Sequence, residues 1–309
     1  MATDFRQLAW DAELEQAARR AVEQALEEDL GTVGDLTSAA VVPAGATGAA
    51  QIVVRSAGIV AGLRVAALVA ANVDSKVEFS ASAVDGASLQ AGSVAAEIRG
   101  LARSILAAER VMLNFVGRLS GIATLTGRYV SAVEGTRARI YDTRKTTPGL
   151  RLLEKHAVHL GGGHNHRRGL FDAVLIKDNH LAIGRRAAAD AASYLPGTAV
   201  ARARRAIAEL KPPPRETVLV EIELDDLESL PAVLAAGPDI VMLDNMSPPQ
   251  LERAVALRDA QAPQVELEAS GGVRLETIAA IARTGVDRIS VGALTHSAPS
   301  LDVGLDWVQ

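Results

Sequence analysis

From residue 139 onward, six short apolar runs recur along the chain: ARIYD, DAVLIK, TVLVEI, DIVML, VELEA and DRISV, with helical stretches between them. Runs of five or six residues rich in Val and Ile read as strands. Strands that alternate with helices pair in parallel, because each helix carries the chain back to the edge it left. The rhythm therefore predicts an α/β fold built on a parallel sheet or barrel. Six repeats span less chain than the roughly 250 residues of a full eightfold barrel, so the expected form is an incomplete or distorted parallel α/β barrel.

Each run is followed at once by residues of the kind that active sites use. They are Asp142, Arg144 and Lys145; Lys177, Asp178 and Asn179; Glu221 and Glu223; Asp244 and Asn245; Ser270, Gly271 and Gly272; and Gly292 with Ala293. In a parallel barrel all such ends share one face, where ligands bind. Charges scattered at random over a surface would not follow the strand rhythm, so one composite site is expected there.

Two chemistries meet in that set. Residues 141–181 hold five of the six histidines and three of the five lysines of the chain. Arg144, Lys145, Arg167, Arg168 and Lys177 can converge if the segment folds as strand, turn, helix, loop and strand, and several cations lining one hollow suit a ligand with more than one anionic group. Ser270-Gly271-Gly272 and Val291-Gly292-Ala293 follow the last two strands, where bare backbone N–H groups cradle phosphate. Glu223 and Asp244 are the acidic part of the face and suit Mg²⁺ held partly by protein and partly by a phosphorylated ligand; the bland reading is that either one neutralises Arg144 or Lys177. Glu221 shares a strand face with Glu223, so spacing alone does not separate them.

Among the histidines, His166 beside Arg167 is the candidate for substrate contact. His164 and His166 form an HxH pair, but the sequence places no third metal ligand. His156 and His159 read as structural, and His180 as a support for the KDN turn. Gly161-Gly162-Gly163 reads as a helix terminator and lid hinge rather than a phosphate loop, because no clear helix follows it.

The first part of the chain has another texture. Residues 11–30 form an amphipathic helix with Leu14, Ala18, Val22 and Leu26 on one stripe, ending at Gly31. Asp35 and Thr37 read as capping and turn residues rather than a metal loop. Residues 48–100 carry short strand-like runs, QIVVRS, KVEFSAS and SVAAEIRG, with one helix over 63–72. Residues 104–133 form a long helix, with a break expected at Ser120-Gly121. These patterns divide the chain into an α+β sandwich-like domain over 1–117 and a barrel over 118–294, with the tail 295–309 returning to the first domain, where Asp302 and Asp306 read as solvated. The stretch 184–214, ending in PPPR, reads as a helix bounded by loops.

A net charge of −5 with no basic stripe outside the central cluster excludes a general nucleic-acid binder. The absence of cysteine removes disulfides and thiolate chemistry together, and fits a reducing, cytoplasmic setting. The first residues, MATDFRQLAW, carry no signal-peptide pattern, and the most apolar stretch, 58–73, is interrupted by Arg64 and too short to span a bilayer, so no membrane partner is expected.

DTRKTTPG, GGGxxHRxGLxD and IKDNH, followed in order by VEIELDDL, VMLDNM, EASGGV and ISVGALTHS, resemble the quinolinate phosphoribosyltransferase family, the carboxylating nicotinate-nucleotide pyrophosphorylases. The resemblance covers nearly the full length. It implies transfer of phosphoribosyl from phosphoribosyl pyrophosphate to quinolinate with loss of CO₂, assisted by Mg²⁺, in a homodimer whose active sites are shared. It assigns Arg144, Thr146, His166, Arg167 and Lys177 to the substrate, Lys145 to catalysis between the diacid and the pyrophosphate, and Glu223, rather than Glu221, with Asp244 to catalysis and metal. Arg110 in AERxxLN reads from spacing as part of a helix-surface ion pair; the resemblance sends it into the neighbouring subunit's pocket. Two other functions fit the same architecture: a molybdenum-operon relative with a different acceptor, and a non-catalytic sensor of phosphate ligands. Neither requires the diacid-gripping cations together with Glu223 and Asp244.

Overall fold

The computed structural model describes residues 4–188, 194–210 and 218–308. Helix α1 (Ala12–Leu30) starts where the Asp11 carboxylate accepts the Leu14 N–H at 2.9 Å, and it stops at Gly31, whose φ is +52°. It buries Leu14, Ala18 and Val22, a stripe whose larger members contribute about 1.5–3 kcal/mol each. Asp35 caps α2 (Leu36–Val41) by accepting the Ser38 N–H at 3.0 Å. There follow β1 (Thr47–Val54), β2 (Gly58–Ile59), α3 (Leu63–Val73), β3 (Glu78–Ala81), β4 (Ser88–Leu89), β5 (Val94–Leu101) and α4 (Ala102–Ala132). Helix α4 runs unbroken for 31 residues, against the break expected at Ser120-Gly121. Those small residues serve packing instead. The Ser120 hydroxyl donates to the Ala61 carbonyl and accepts its N–H, and a Cβ on Gly121 would lie 2.9 Å from the Pro299 carbonyl carbon.

The alternating part follows as β6 (Arg139–Tyr141), α5 (Arg151–Leu160), β7 (Ala173–Ile176), α6 (Asp178–Ala187), α7 (Pro196–Ala208), β8 (Leu219–Leu224), α8 (Leu230–Ala236), β9 (Ile240–Asp244), α9 (Pro248–Gln261), β10 (Glu266–Ser270), α10 (Leu275–Ala282) and β11 (Arg288–Ser290), before α11 (Ala293–His296) and β12 (Val303–Val308). The stretch expected to hold one helix bounded by loops holds α7 and, at its start, the end of α6; its PPPR lies outside the described residues.

Two compact units result, and neither is a single stretch of chain. One comprises residues 7–128, 145–163 and 293–309. Its antiparallel sheet has the order β12-β1-β5-β3, so the tail strand lies against β1, where Asp306 makes an exposed ion pair with Arg55 rather than standing solvated alone. In this unit Gly161 and Gly163 are buried, and a Cβ on either would lie 2.7 Å from a Thr126 side-chain carbon. The triple glycine therefore ends α5 by close packing on α4 and is no lid hinge.

The other unit comprises residues 1–6, 129–144 and 164–292. Its six parallel strands run in the order β6-β11-β10-β9-β8-β7, leaving a seam between β6 and β7. The segment after α5 fills it: His164 N–H donates to Ile140 O at 2.7 Å, and Asp142 N–H to His164 O at 3.0 Å. The lower end is closed by the chain's own beginning. Phe5 packs with Tyr141, Ala173, Leu219 and Ile240. Asp4 accepts the Tyr141 hydroxyl at 2.8 Å and pairs with Arg139 at 3.3 Å and Arg288 at 3.0 Å, while Glu266 pairs with both arginines. Arg288 is 1% exposed, and only this dense pairing offsets the cost of burying its charge.

Candidate active site

In a parallel sheet, residues in register point to the same face. Glu221 is in register with Ile240, Glu223 with Met242, and Asp244 with Ser270. Glu221 therefore lies two residues deeper in the barrel than Glu223. Both Glu221 and Glu268 are fully buried, whereas Glu223, Asp244 and Ser270 at the strand ends are partly exposed. Depth thus separates the two glutamates that spacing left equivalent.

The cationic side grows out of the seam. Arg167 is 7% exposed, and Arg144 is near enough that its charge, after burial, is the main influence holding the Arg167 guanidinium below its usual range; Glu221 and Asp172 oppose that shift. Arg167 stays a cation all the same. The Nε of Arg144 is buried without a hydrogen-bond partner among the described residues. Two neighbouring guanidiniums, one with an unused donor, are groups of the kind that suit an anion. Lys177 donates to Glu223, so the rim acid is ion-paired to the rim lysine. The His180 Nδ1 accepts the Lys177 N–H at 2.9 Å and steadies the KDN turn.

His166, expected to touch substrate, is 4% exposed with both ring nitrogens turned to protein groups. Its Nδ1 accepts the Arg167 N–H at 2.8 Å, so the ring proton sits on Nε2, 3.0 Å from Glu221 Oε2 and 3.7 Å from Glu268 Oε1. Phe5 stacks on the ring at 4.3 Å. His166, Glu221 and Glu268 converge closely enough to suggest a metal centre. The tautomer argues against one: a metal on Nε2 would leave an imidazolate whose Nδ1 still accepts a backbone N–H. Instead the Glu268 carboxyl is pushed up to about 7, first by burial and then by Glu221, with His166 and Arg288 opposing. The other half of the HxH pair, His164, lies 3.8 Å from Asp4 at the opposite end of its strand segment.

The glycine turn after β10 is tightly built. Gly271 has φ +89°, and a Cβ there would lie 2.8 Å from the Asn245 backbone nitrogen. Asn245 itself adopts φ +55°, and its N–H donates to Ser270 O at 2.8 Å. Two adjacent strand ends are thereby locked together beside Asp244, which accepts the Asn245 side-chain amide at 2.7 Å. The oxygen donors Glu223 and Asp244 on neighbouring strand ends fit a hard cation with open coordination positions.

The barrel unit contains Arg144, His166, Arg167, Lys177, Glu223, Asp244, Ser270, Gly271, Gly272, Val291 and Gly292. Lys145, Thr146 and Ala293 belong to the other unit, as does Arg110, exposed on α4. In that unit Lys145 O accepts the Thr295 hydroxyl at 2.7 Å, and Thr146 Oγ1 accepts Arg151 Nε at 3.1 Å. Glu154, fully buried, accepts Thr147 N–H at 3.0 Å and Arg118 at 2.7 Å, fixing the TTPG turn. Sequence reasoning missed Glu268, whose only signal was an acid in the middle of an apolar strand.

Profiles of the quinolinate phosphoribosyl transferase C-terminal and N-terminal domains match residues 122–306 and 35–120. The chain belongs to this family. It is 47% identical over 293 residues to the nicotinate-nucleotide pyrophosphorylase [carboxylating] of Mycobacterium leprae, covering 94% of this chain and 97% of that one. A probable enzyme of the same name from Bacillus subtilis is 42% identical, covering 90% and 89%. The solved structure of the nicotinate-nucleotide pyrophosphorylase from Francisella tularensis superposes with a TM-score of 0.87 at 36% identity, covering 99% of this chain and all of that one. The overall fold of this chain is thus that of a solved nicotinate-nucleotide pyrophosphorylase.

Proposed function

We propose that the protein transfers the phosphoribosyl group of phosphoribosyl pyrophosphate to the ring nitrogen of quinolinate, releasing pyrophosphate and CO₂ and giving nicotinate mononucleotide. The observation that supports this reading is the nearness of Arg144 to Arg167, with the Arg144 Nε buried and without a hydrogen-bond partner among the described residues, in the barrel unit that also holds Glu223, Asp244 and the Gly271 turn. A pyridine with two adjacent carboxylates is the kind of ligand that satisfies two guanidiniums and Lys177 together. Family membership supports the same substrates.

In this reading the two arginines and Lys177 hold the diacid so that its ring nitrogen faces the anomeric carbon of the sugar. The nitrogen lone pair forms the new bond as the bond to pyrophosphate breaks. Charge that develops at the sugar and on the leaving group is stabilised by preorganised groups, so no protein nucleophile is required. Lys145, next in the chain after Arg144, would serve the leaving group. Glu223 and Asp244 would hold Mg²⁺, which when bound neutralises charge on the pyrophosphate. With the nitrogen alkylated and positive, the adjacent carboxylate leaves as CO₂ and its electron pair stays on the ring carbon, which then takes a proton. An ion-paired Lys177–Glu223 must part for both ligands to enter, so binding of diacid and of metal-bound pyrophosphate are coupled here.

Arg110, exposed on α4, would act across a homodimer, in the partner subunit's site. No described helix is long and apolar enough to cross a membrane. The test is direct: purified protein, quinolinate, phosphoribosyl pyrophosphate and Mg²⁺ yield nicotinate mononucleotide and CO₂ in equal amounts. Absence of product under these conditions rejects the reading.

A further inference from the structure

We infer that Asn245 determines which cation the rim accepts: by donating its side-chain amide to one oxygen of Asp244 it leaves a single oxygen for a metal, and so favours Mg²⁺ over the larger Ca²⁺. This deepens the proposed function and rests on it for Asp244 as a metal ligand and for phosphoribosyl pyrophosphate as the metal-bound substrate.

Asn245 follows β9 directly, and among the described residues it is the one non-glycine residue with a positive φ, +55°. A left-handed conformation is costly for most side chains and tolerable for asparagine, whose short carboxamide can bond locally. Three contacts hold it there, although the residue is exposed. Its N–H donates at 2.8 Å to the carbonyl of Ser270 on the neighbouring strand β10. Its carboxamide lies against Gly271, where a Cβ would strike the amide oxygen and come within 2.5 Å of Cγ. Its Nδ2 donates to Asp244 Oδ2 at 2.7 Å. A carboxylate only accepts, so the atom that faces Asp244 is the nitrogen.

The turn alone does not need this side chain. Glycine adopts a left-handed φ at no steric cost, and it would keep the N–H that reaches Ser270. What glycine would not supply is the amide on Asp244. Strain kept where a less strained residue would fold equally well points to a local task.

The task follows from the coordination habits of the two ions. Mg²⁺ demands near-octahedral oxygens at about 2.0–2.1 Å and takes one or two carboxylates, with water and phosphate making up the rest. Ca²⁺, at about 2.3–2.6 Å, accepts both oxygens of one carboxylate. With Oδ2 engaged by Asn245, Asp244 offers Oδ1, which suits Mg²⁺; for Ca²⁺ to take both oxygens the amide bond must break. Glu223 is not constrained in this way, because its partner Lys177 parts from it when both ligands enter, whereas the Asn245 bond is set within the turn.

The test compares phosphoribosyl pyrophosphate binding by calorimetry, without quinolinate, in saturating Mg²⁺ and in saturating Ca²⁺. In the wild type, binding is expected to be at least about tenfold tighter with Mg²⁺. Asn245→Gly keeps the turn and removes the amide. Its preference should narrow by at least about threefold through tighter binding with Ca²⁺, the limit being the roughly tenfold weight of one hydrogen bond to a charged group. A preference that narrows by less, or only through weaker binding with Mg²⁺, overturns the inference; so does equal weakening with both cations, which a merely structural Asn245 would give. A wild type that binds equally well with either cation overturns it without any variant. Asp244→Asn should weaken binding with both cations by about tenfold or more. Unchanged affinity there removes Asp244 from the metal, and the inference with it, while the diacid reading stands. A wild type that binds no phosphoribosyl pyrophosphate with either cation would instead reject the proposed function.

Discussion

The buried carboxyl of Glu268 offers the sharpest test of the barrel interior. It is fully buried with its carboxyl pushed up to about 7 from an ordinary 4.5, by burial first and Glu221 second. An acid whose folded value is raised destabilises the fold once it must ionise. The penalty is absent below about pH 4.5, grows as pH rises, and is fully present above about pH 7. From the two values it is about 1 kcal/mol at pH 5 and roughly 3 kcal/mol at pH 8. Glu268→Gln keeps the shape, removes the proton, and adds an offset that does not depend on pH. Relative to wild type, the variant should gain about 2 kcal/mol between pH 5 and pH 8, measured from urea unfolding midpoints and slopes at each pH. Two curves that stay parallel across that range, within about 0.5 kcal/mol, would show that Glu268 carries no raised value and that the interior is not built as described.

Other outcomes follow from the rim. Arg167→Ala and Lys145→Ala should each lower kcat/KM by about a hundredfold or more with an unchanged circular-dichroism spectrum; wild-type turnover in either contradicts the site. Gly271→Ala meets both a φ of +89° and the Asn245 backbone, so a loss of about 2–4 kcal/mol in denaturant stability is expected, and a stable variant would mean the turn can relax. If Arg110 acts across a twofold dimer, exchange between Arg110→Ala and Lys177→Ala proteins restores one intact site in each mixed dimer. About a quarter of wild-type activity should then return from an equal mixture, and none returns if both residues act within one subunit.

The strand–helix rhythm from residue 139 determined the parallel sheet, because period-2 apolar runs separated by helices have few other ways to bury themselves. The polar residues after each run likewise marked strand ends, where Lys177 meets Glu223 and Asp244 lies in register with Ser270. Helix α1 was legible to its caps, since Asp11 and Gly31 act on their own neighbours. What no local pattern held was depth and partnership. Glu221 and Glu223 have the same periodicity, yet one is sealed against His166 and the other is at the rim with Lys177. Asp4 and Phe5, at the chain's start, close the foot of a barrel that begins more than a hundred residues later. His166 is buried, with a backbone amide on its Nδ1 and a carboxylate from a distant strand 3.0 Å from its Nε2, a partnership that no local pattern could show. Periodicity reports which way a side chain points; only the packed structure decides how far it is from water and which charge it meets there, and those two quantities govern its chemistry.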